Sequence, residues 1–170
     1  VGAVPGAVVI GRVLYGAGFA VGVPLLGMAW AQRLGHWDFA LPTVEAPWFG
    51  ALVAAVGAAL VVTAWWTMAK DAGGLPMNAY PPPRFTRRGP FRVLNDPIYV
   101  GAVLMAAGAA MAVGSAPGLW IVTPVLALGC AALVQGHERP DLGRRFGVRP
   151  AALLTLPERA DRPPRTGERL

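Results

Sequence analysis

Four apolar stretches, each close to the length of a membrane-spanning helix, dominate the sequence. They cover approximately residues 8–30, 47–69, 97–114 and 118–135. A helix needs roughly 20 mainly apolar residues to cross the hydrocarbon core of a bilayer. The chain is 55% hydrophobic and only 14% charged, which is too apolar for an ordinary soluble domain. The pattern predicts an all-α, polytopic membrane protein with about four transmembrane helices.

Prolines and glycines mark where these spans bend, begin and turn. Pro24 lies inside the first span and is expected to kink it. Asp96 followed by Pro97 is typical of a helix start, because aspartate can cap the first turn and proline suits the first helical position. The segment 115–118, Ser-Ala-Pro-Gly, is a tight uncharged turn. It predicts that the last two spans form an antiparallel hairpin.

Small residues recur at three- and four-residue spacing in this hairpin. Such residues let helix backbones approach closely, and they also leave room for a ligand between helices. They are Gly101, Ala102, Ala106, Gly108, Ala109 and Ala112 on the third span, and Ala127, Gly129, Cys130, Ala131 and Ala132 on the fourth.

Basic residues are distributed unevenly among the connectors. Only Arg33 lies between the first two spans, whereas the second connector carries Lys70 and four arginines, and eight arginines follow the fourth span. The positive-inside rule places both basic segments and both termini in the cytoplasm. We expect an integral protein of a bacterial inner membrane, and we attribute the net charge of +6 to contact with anionic headgroups rather than with nucleic acid.

Composition divides the chain into two parts. Residues 1–150 form the expected membrane domain, and residues 151–170 read as a basic, proline- and arginine-rich tail or linker. Because the sequence begins with Val1 rather than Met, we expect it to be cut from a longer chain, and a further domain beyond its ends is a possible partner.

Two polar phrases flank the hairpin, RGPFRVLNDPIYVG at 88–101 and HERPDLGRRFG at 137–147. An antiparallel hairpin brings both to one cytoplasmic mouth. Glu138 lies at the membrane edge, where an unpaired carboxylate is costly, so Arg88 or Arg92 is a candidate partner. Tyr99 lies in the first turn of the third span and Glu138 just beyond the fourth, so we expect both to face one shared cavity.

The two phrases resemble those of the isoprenylcysteine carboxyl methyltransferase family and its bacterial and phospholipid-methyltransferase relatives. That family reads approximately Arg-Gly-Pro-Tyr/Phe-Arg-x-x-Arg-His-Pro-x-Tyr-x-Gly, then a helical hairpin, then Glu-Glu-x-x-Leu-x-x-x-Phe-Gly-x-x-Tyr. The resemblance covers about residues 85–147. The matching positions are Arg88, Gly89, Pro90, Phe91, Arg92, Pro97, Tyr99 and Gly101 before the hairpin and Glu138, Leu142, Phe146 and Gly147 after it.

The resemblance implies a methyltransferase that uses S-adenosylmethionine, bound at the cytoplasmic mouth of the hairpin, and acts on a membrane lipid or a lipidated, isoprenylcysteine-like acceptor. It implies catalytic roles for Arg92 and Glu138 and no metal. The implied cofactor-binding residues are Asn95, Asp96, Pro97, Tyr99, Gly101, His137, Glu138 and Arg139. Methyl transfer from a sulfonium depends mainly on positioning and electrostatics, so the site needs no nucleophilic side chain.

The chain departs from the family pattern at the start of the third span and after the fourth. Asn95-Asp96 replaces Arg-His, Arg139 replaces the second Glu, and Pro150 replaces the final Tyr. A histidine can donate a hydrogen bond to a cofactor carboxylate, whereas an ionised Asp96 can only accept and repels an anion. One hypothesis is that Arg139 restores the lost positive charge from the other side.

Two alternatives remain open at this point. The chain could be a non-catalytic membrane module that kept the fold, because the departures fall on the implied site. It could also be a membrane reductase related to sterol reductases that uses NADPH. Binding of S-adenosylmethionine, with NADPH as the competing test, separates these hypotheses.

Overall fold

The computed structural model describes residues 14, 18, 22–37, 40–72 and 86–146, except for the side chains of 145 and 146. Turns of π-helix at Met68–Ala72, Gly118–Val122 and Val134–Glu138 extend or join the helices, and a 3₁₀ turn covers Gly89–Arg92. The predicted all-α fold is confirmed. The helices are α1 (Val23–Leu34), α2 (Pro47–Thr67), α3 (Pro97–Ala112), α4 (Thr123–Leu133) and α5 (Arg139–Phe146).

The predicted spans agree with these helices except at two ends. Pro24 lies in the first turn of α1, and most of the first predicted span lies outside the described residues, as does the tail 151–170. Beyond the predicted end of the fourth span near Gln135, the helix continues through the polar phrase to Phe146.

Among the described residues, two helices are long and apolar enough to cross a membrane. They are Pro47–Ala72, with 26 residues, and Gly118–Arg144, with 27, while Pro97–Ala112 is apolar but shorter. Only 17% of the most apolar window of each long helix is buried inside the fold. Large side chains such as Leu52 and Leu128 are instead exposed. Outward-facing apolar surface on this scale suits lipid rather than water, so the fold is that of an all-α membrane protein.

The closest helix contact joins α2 and α3, which run antiparallel. A Cβ added at Gly57 would lie 2.6 Å from the carbonyl oxygen of Gly101, and one added at Gly101 would lie 2.7 Å from that of Gly57. Seven residues further along each helix, Gly50 and Gly108 face each other in the same way. A Cβ added at either one would lie 2.6 Å from the carbonyl oxygen of the other. Two turns of each helix therefore touch backbone to backbone, which only glycine allows.

The fourth span does not use its small residues in this way. A Cβ at Gly129 would have no neighbouring atom within 4 Å, and Ala131 and Ala132 are exposed. The small residues of α3 thus pack closely against α2, whereas Gly129 of α4 has no such contact. Glycines at matched seven-residue spacing occur on α2 and α3, and these decide which helices approach most closely.

One end of the α2–α3 pair is closed by the turn between α3 and α4 and by the segment before α2. The backbone N–H of Ala46 donates to Met111 O at 3.2 Å, and Trp120 Nε1 donates to Pro42 O at 2.8 Å. Gly114 has φ of 65°, the left-handed conformation that a tight helix exit requires, and it lies against Glu45. These contacts hold the segment before α2 against the turn between α3 and α4.

The other end, which we call the polar end, contains Asp71, the 3₁₀ turn Gly89–Arg92 and Asp96. Gly89, with φ of 54°, lets this turn pack onto Thr67 at the end of α2. Arg88 NH1 lies 3.6 Å from Asp71 Oδ1. Lys70 Nζ stands 4.7 Å from the centroid of the Trp66 ring, a cation–π contact. Charged and aromatic groups thus collect where α2 ends and α3 begins.

The continuous helix over 118–146, which includes α4 and α5, contains two π-helical turns, and each of them ends two residues before a proline. The turn Gly118–Val122 precedes Pro124, and the turn Val134–Glu138 precedes Pro140. Proline cannot donate a backbone hydrogen bond, and its ring clashes with the carbonyl four residues back, so a wider turn relieves the clash. At the first turn the Thr123 hydroxyl donates to Gly118 O at 2.9 Å. The second turn sets the direction of the two residues at its end, Glu138 and Arg139.

Candidate active site

Four polar side chains meet at the polar end, where α3 begins and α4 passes into α5. Asp96 and Tyr99 are three residues apart and therefore project from the same side of the first turn of α3. Glu138 and Arg139 are adjacent in sequence, at the junction of the π-helical turn with α5. Tyr99 contacts Glu138 and Asp96 contacts Arg139, and we call these four residues the polar cluster.

Tyr99 and Glu138 form the first contact of the cluster. The Tyr99 hydroxyl donates a hydrogen bond to Glu138 Oε1, and both side chains are partly buried. The two residues, 39 positions apart, therefore lie together at one end of the hairpin. That they face one shared cavity stays a prediction. The donated hydrogen bond holds the Glu138 carboxyl group in one orientation.

Asp96 and Arg139 form the second contact. Arg139 NH2 lies 3.7 Å from Asp96 Oδ2, with 26% and 13% of the two side chains exposed. Burial raises the pKa of Asp96 above its usual range, and the charge and hydrogen bond of Arg139 oppose this rise. Asp96 therefore does not stand as a bare negative charge, as the sequence alone suggests, because Arg139 neutralises it.

Asp96 occupies the predicted N-cap position of α3, but the predicted capping hydrogen bond from its side chain is wrong. Asp96 is the residue before α3, and Pro97 is its first residue, but the Asp96 side chain makes no capping hydrogen bond. It points to Arg139 instead. A half-buried guanidinium binds a carboxylate more strongly than backbone amides do, so the ion pair wins over the cap.

Arg139 has donor capacity that this pair does not use. Its Nε is buried and, among the described residues, has no hydrogen-bond partner. A buried donor without an acceptor costs about 1–3 kcal/mol, so such a group in a folded protein calls for an explanation. The guanidinium is a planar fork suited to bidentate contact with an oxyanion, and among the described residues its Nε has no acceptor.

The other predicted site residues fall into two groups. Pro97 is fully buried, and Gly101 faces the backbone of Gly57, so helix packing accounts for both. Asn95 is half-buried beside Asp96, whereas His137 and Arg92 are exposed at the polar end. The structure thus brings Asp96, Tyr99, Glu138 and Arg139 into direct contact and leaves the remaining polar candidates around them.

Of the two arginines expected as partners of Glu138, Arg88 lies beside Asp71, with its side chain 81% exposed. A pairing of Arg92 with Glu138 stays a prediction. The Tyr99 hydroxyl donates to Glu138 Oε1. The two residues that position the site and that the sequence does not single out are Gly50 and Gly57, which fix α3 against α2. Their signal was available, since Gly101 and Gly108 repeat the same seven-residue spacing.

The cluster offers two kinds of recognition within one helical turn of α3. Glu138 presents a carboxylate suited to a cation, and Arg139 presents a guanidinium suited to an oxyanion. S-adenosylmethionine combines a sulfonium and an ammonium with a carboxylate, so this donor set fits it. The buried, unpaired Nε of Arg139 is the structural observation that agrees with the anionic part of such a ligand.

Comparison with known proteins gives one match. The family model for phospholipid methyltransferases matches residues 46–149, which include α2, α3, α4 and the whole polar cluster. No curated protein and no solved structure matches the chain. Because the match covers more than half of the sequence and agrees with the two polar phrases around the hairpin, the chain belongs to the phospholipid methyltransferase family.

Proposed function

We propose that the protein transfers a methyl group from S-adenosylmethionine to the headgroup of a membrane phospholipid at the cytoplasmic face. The observation that carries the proposal is that the family match spans the polar cluster, so the cluster lies within the segment by which the family is defined. Family membership supports a lipid methyltransferase in general. The cofactor, the acceptor and the membrane face are the proposed parts.

S-adenosylmethionine supplies an electrophilic methyl group when bound. In our proposal Arg139 and Asn95 hold its polar part, and the carboxylate of Glu138 attracts its positive charge. Tyr99 keeps that carboxylate in place through its hydroxyl. These contacts position reactants rather than attack them, and positioning with electrostatics is sufficient for methyl transfer.

An amine is the acceptor that suits the cluster best. The amine of an aminophospholipid headgroup is a nucleophile, but only after its ammonium form has lost a proton. Tyr99 holds the half-buried carboxyl group of Glu138 in place, and in our proposal Glu138 accepts this proton. The exposed apolar surface of α2 and α4 would let the lipid approach from the bilayer while the cofactor enters from water.

The proposal is tested with purified protein in vesicles and S-adenosylmethionine carrying a radiolabelled methyl group. We expect label in the lipid extract when the vesicles contain an aminophospholipid, and none when they contain only phospholipids without an amine. If an added isoprenylcysteine compound is labelled instead, the acceptor is a lipidated cysteine and not a phospholipid headgroup. Glu138→Gln should reduce transfer at least roughly 100-fold, as removal of a general base does.

Glu45→Gln is the matched control, because it removes a carboxylate at the opposite end of the same helices. It should leave transfer unchanged. A folded protein that neither binds nor uses S-adenosylmethionine would refute the proposal and favour a non-catalytic module. Binding of NADPH in its place would favour a reductase.

The membrane face is tested by labelling single cysteines from each side. We expect cysteines placed at Asn78 and at Thr43, in a Cys130→Ala background, to react from opposite sides, with Asn78 cytoplasmic. Reaction of both from the same side would contradict the proposed topology.

A further inference from the structure

The two π-helical turns of the helix over 118–146 differ in how the fold holds them. At the first turn Gly118 is buried, and a Cβ added there would lie 2.8 Å from the hydroxyl oxygen of Ser115. The buried Thr123 hydroxyl also donates a hydrogen bond to Gly118 O at 2.9 Å. The first turn is therefore fixed both by packing and by a side-chain hydrogen bond.

The second turn, over 134–138, is anchored on one side and open on the other. Val134 is buried, with 5% of its surface exposed, whereas Gln135, Gly136 and His137 are exposed. A Cβ added at Gly136 would meet no described atom within 4 Å, so packing does not require a glycine there. Glycine inside an exposed helix is less favourable than alanine, because it gives up more conformational freedom on folding. What Gly136 adds at this place is freedom of the backbone to change φ and ψ.

Pro140 interrupts the helical hydrogen bonding at the same place. Proline has no N–H to donate to Gly136 O, four residues back, and the N–H of Arg139 bonds instead to Val134 O, five residues back. Proline, glycine and π-helical turns are the features at which helices bend. All three occur together between α4 and α5.

Beyond this turn, polar side chains fasten the helix to the start of α3. The Tyr99 hydroxyl donates to Glu138 Oε1, and Arg139 NH2 lies 3.7 Å from Asp96 Oδ2. A side-chain hydrogen bond or ion pair contributes little to stability beside the close packing of two helix backbones. The end of the helix can therefore leave α3 by breaking these contacts, while the glycine contacts between α2 and α3 stay intact.

We propose that residues 137–146, which we call the arm, swing about the second π-helical turn with Gly136 as the hinge. Tyr99 and Asp96 form the latch that holds the arm closed. Opening carries Glu138 and Arg139 away from α3 and exposes the polar cluster. The motion is inferred from the fold alone, whereas a role for it in admitting the methyl acceptor rests on the proposed function.

The test measures distances between two spin labels by pulsed electron paramagnetic resonance, on the full protein in vesicles and in a Cys130→Ala background. One label is attached at Arg144→Cys on the arm, where the native side chain is 73% exposed, and the other at Val62→Cys on α2, 63% exposed. A reference pair replaces the arm label with one at Leu128→Cys on α4, 71% exposed. We expect one narrow distance distribution for the reference pair, and a closed and an open population for the arm pair.

Two variants should move the arm populations in opposite directions. Gly136→Ala stiffens the hinge, so the ratio of open to closed protein should fall roughly fivefold, which corresponds to the difference in helix propensity between glycine and alanine. Tyr99→Phe removes a latch hydrogen bond and should increase the open population.

Gly129→Ala is the matched control. It makes the same change in α4, where the added methyl group also has no described atom within 4 Å. It should leave both arm populations as they are in the parent. An equal shift in Gly136→Ala and Gly129→Ala would reflect helix propensity in general and overturn the inference.

A narrow arm distribution in the parent that Tyr99→Phe does not broaden would also overturn it, because the arm would then be rigid. The gating role is tested separately, by methyl transfer. Transfer should be slower in Gly136→Ala than in Gly129→Ala, and equal rates would remove that role. If the labels show the two arm populations but the folded protein transfers no methyl group, the proposed function fails and the hinge stands.

Discussion

Helix α3 takes part in two contacts that differ in every physical respect. Against α2 it presents Gly101 and Gly108, which touch the backbone of Gly57 and Gly50 with no space for a methyl group. At its start Asp96 and Tyr99 make polar contacts with Arg139 and Glu138. The first contact depends on shape and the second on charge.

The two contacts therefore have different roles, one in folding and the other in ligand binding. Close-packed backbone is expensive to deform, so α2 and α3 behave as one rigid pair that fixes where the first turn of α3 lies. In the polar cluster the contact between Asp96 and Arg139 is long, at 3.7 Å, so this pair can exchange partners at smaller cost than close-packed backbone can move. Substitutions in the first region should therefore damage folding, and those in the second should change binding more than folding.

The largest effect is expected for Gly108→Ala. The new Cβ would meet Gly50 O at 2.6 Å and the backbone nitrogen of Ala54 even more closely, so the helices must separate. We expect a loss of roughly 3 kcal/mol in the free energy of unfolding, the upper end for overpacking. Denaturant unfolding in micelles measures it.

Gly129→Ala is the control for that prediction. It places the same methyl group on α4, where no atom lies within 4 Å. It should be neutral or stabilise the protein by up to about 1 kcal/mol through helix propensity. Equal melting temperatures for the two variants would show that the α2–α3 contact is not as close as the structure has it.

The second effect concerns the ion pair. Asp96→Arg or Arg139→Asp alone places two like charges together in a half-buried position and should cost about 2 kcal/mol. The double reversal restores opposite charges and should recover at least half of the summed loss in stability of the two single variants. The same reversal at Asp141 and Arg144 should change stability by less than roughly 0.5 kcal/mol per variant, because that pair is exposed.

Strict additivity of the two substitutions at Asp96 and Arg139 would contradict the contact between them. The double reversal should not restore binding of S-adenosylmethionine, because the arginine that holds its polar part in our proposal would then lie on the wrong helix. This separates the structural contribution of the pair from its proposed role in binding.

The third effect is that of Tyr99→Phe. It removes the hydroxyl that donates to Glu138 while keeping the ring, so we expect a loss of about 1 kcal/mol in stability. Thr63→Val is the control, because the Thr63 hydroxyl only bonds back to its own helix, at 2.7 Å from Ala59 O. A larger loss in Thr63→Val than in Tyr99→Phe would argue against the Tyr99–Glu138 bond.

The smallest effect is a pH dependence of stability. Because burial raises the pKa of Asp96, the folded protein binds a proton there more readily than the unfolded chain does. The contribution of this group to stability should therefore increase as the pH falls from about 7 toward the ordinary aspartate range of roughly 4. Asp96→Asn cannot titrate, so the melting temperature of the parent should rise relative to this variant as the pH falls. A constant difference across that range would contradict it.

Much of the fold could be predicted from local sequence. The starts of α2 and α3 follow from Pro47 and Pro97, since proline suits the first helical turn and little else in a helix. The turn between α3 and α4 follows from Ser115 to Gly118. The end of the last helix could not be read in this way, because polarity marks the edge of a membrane and not the end of a helix.

The candidate site, like the fold, could be predicted from the sequence only in part. The sequence determined by itself that two polar phrases lie at one end of a membrane hairpin, because apolar runs of this length have to be helical in a bilayer and a short turn makes them antiparallel. Only the tertiary structure decided that Asp96 leaves the helix cap for Arg139 and that Gly50 and Gly57 set α3 in place. Partner choice is a competition among groups distant in sequence, and the free energies of packing and charge that settle it exist only once the helices are in contact.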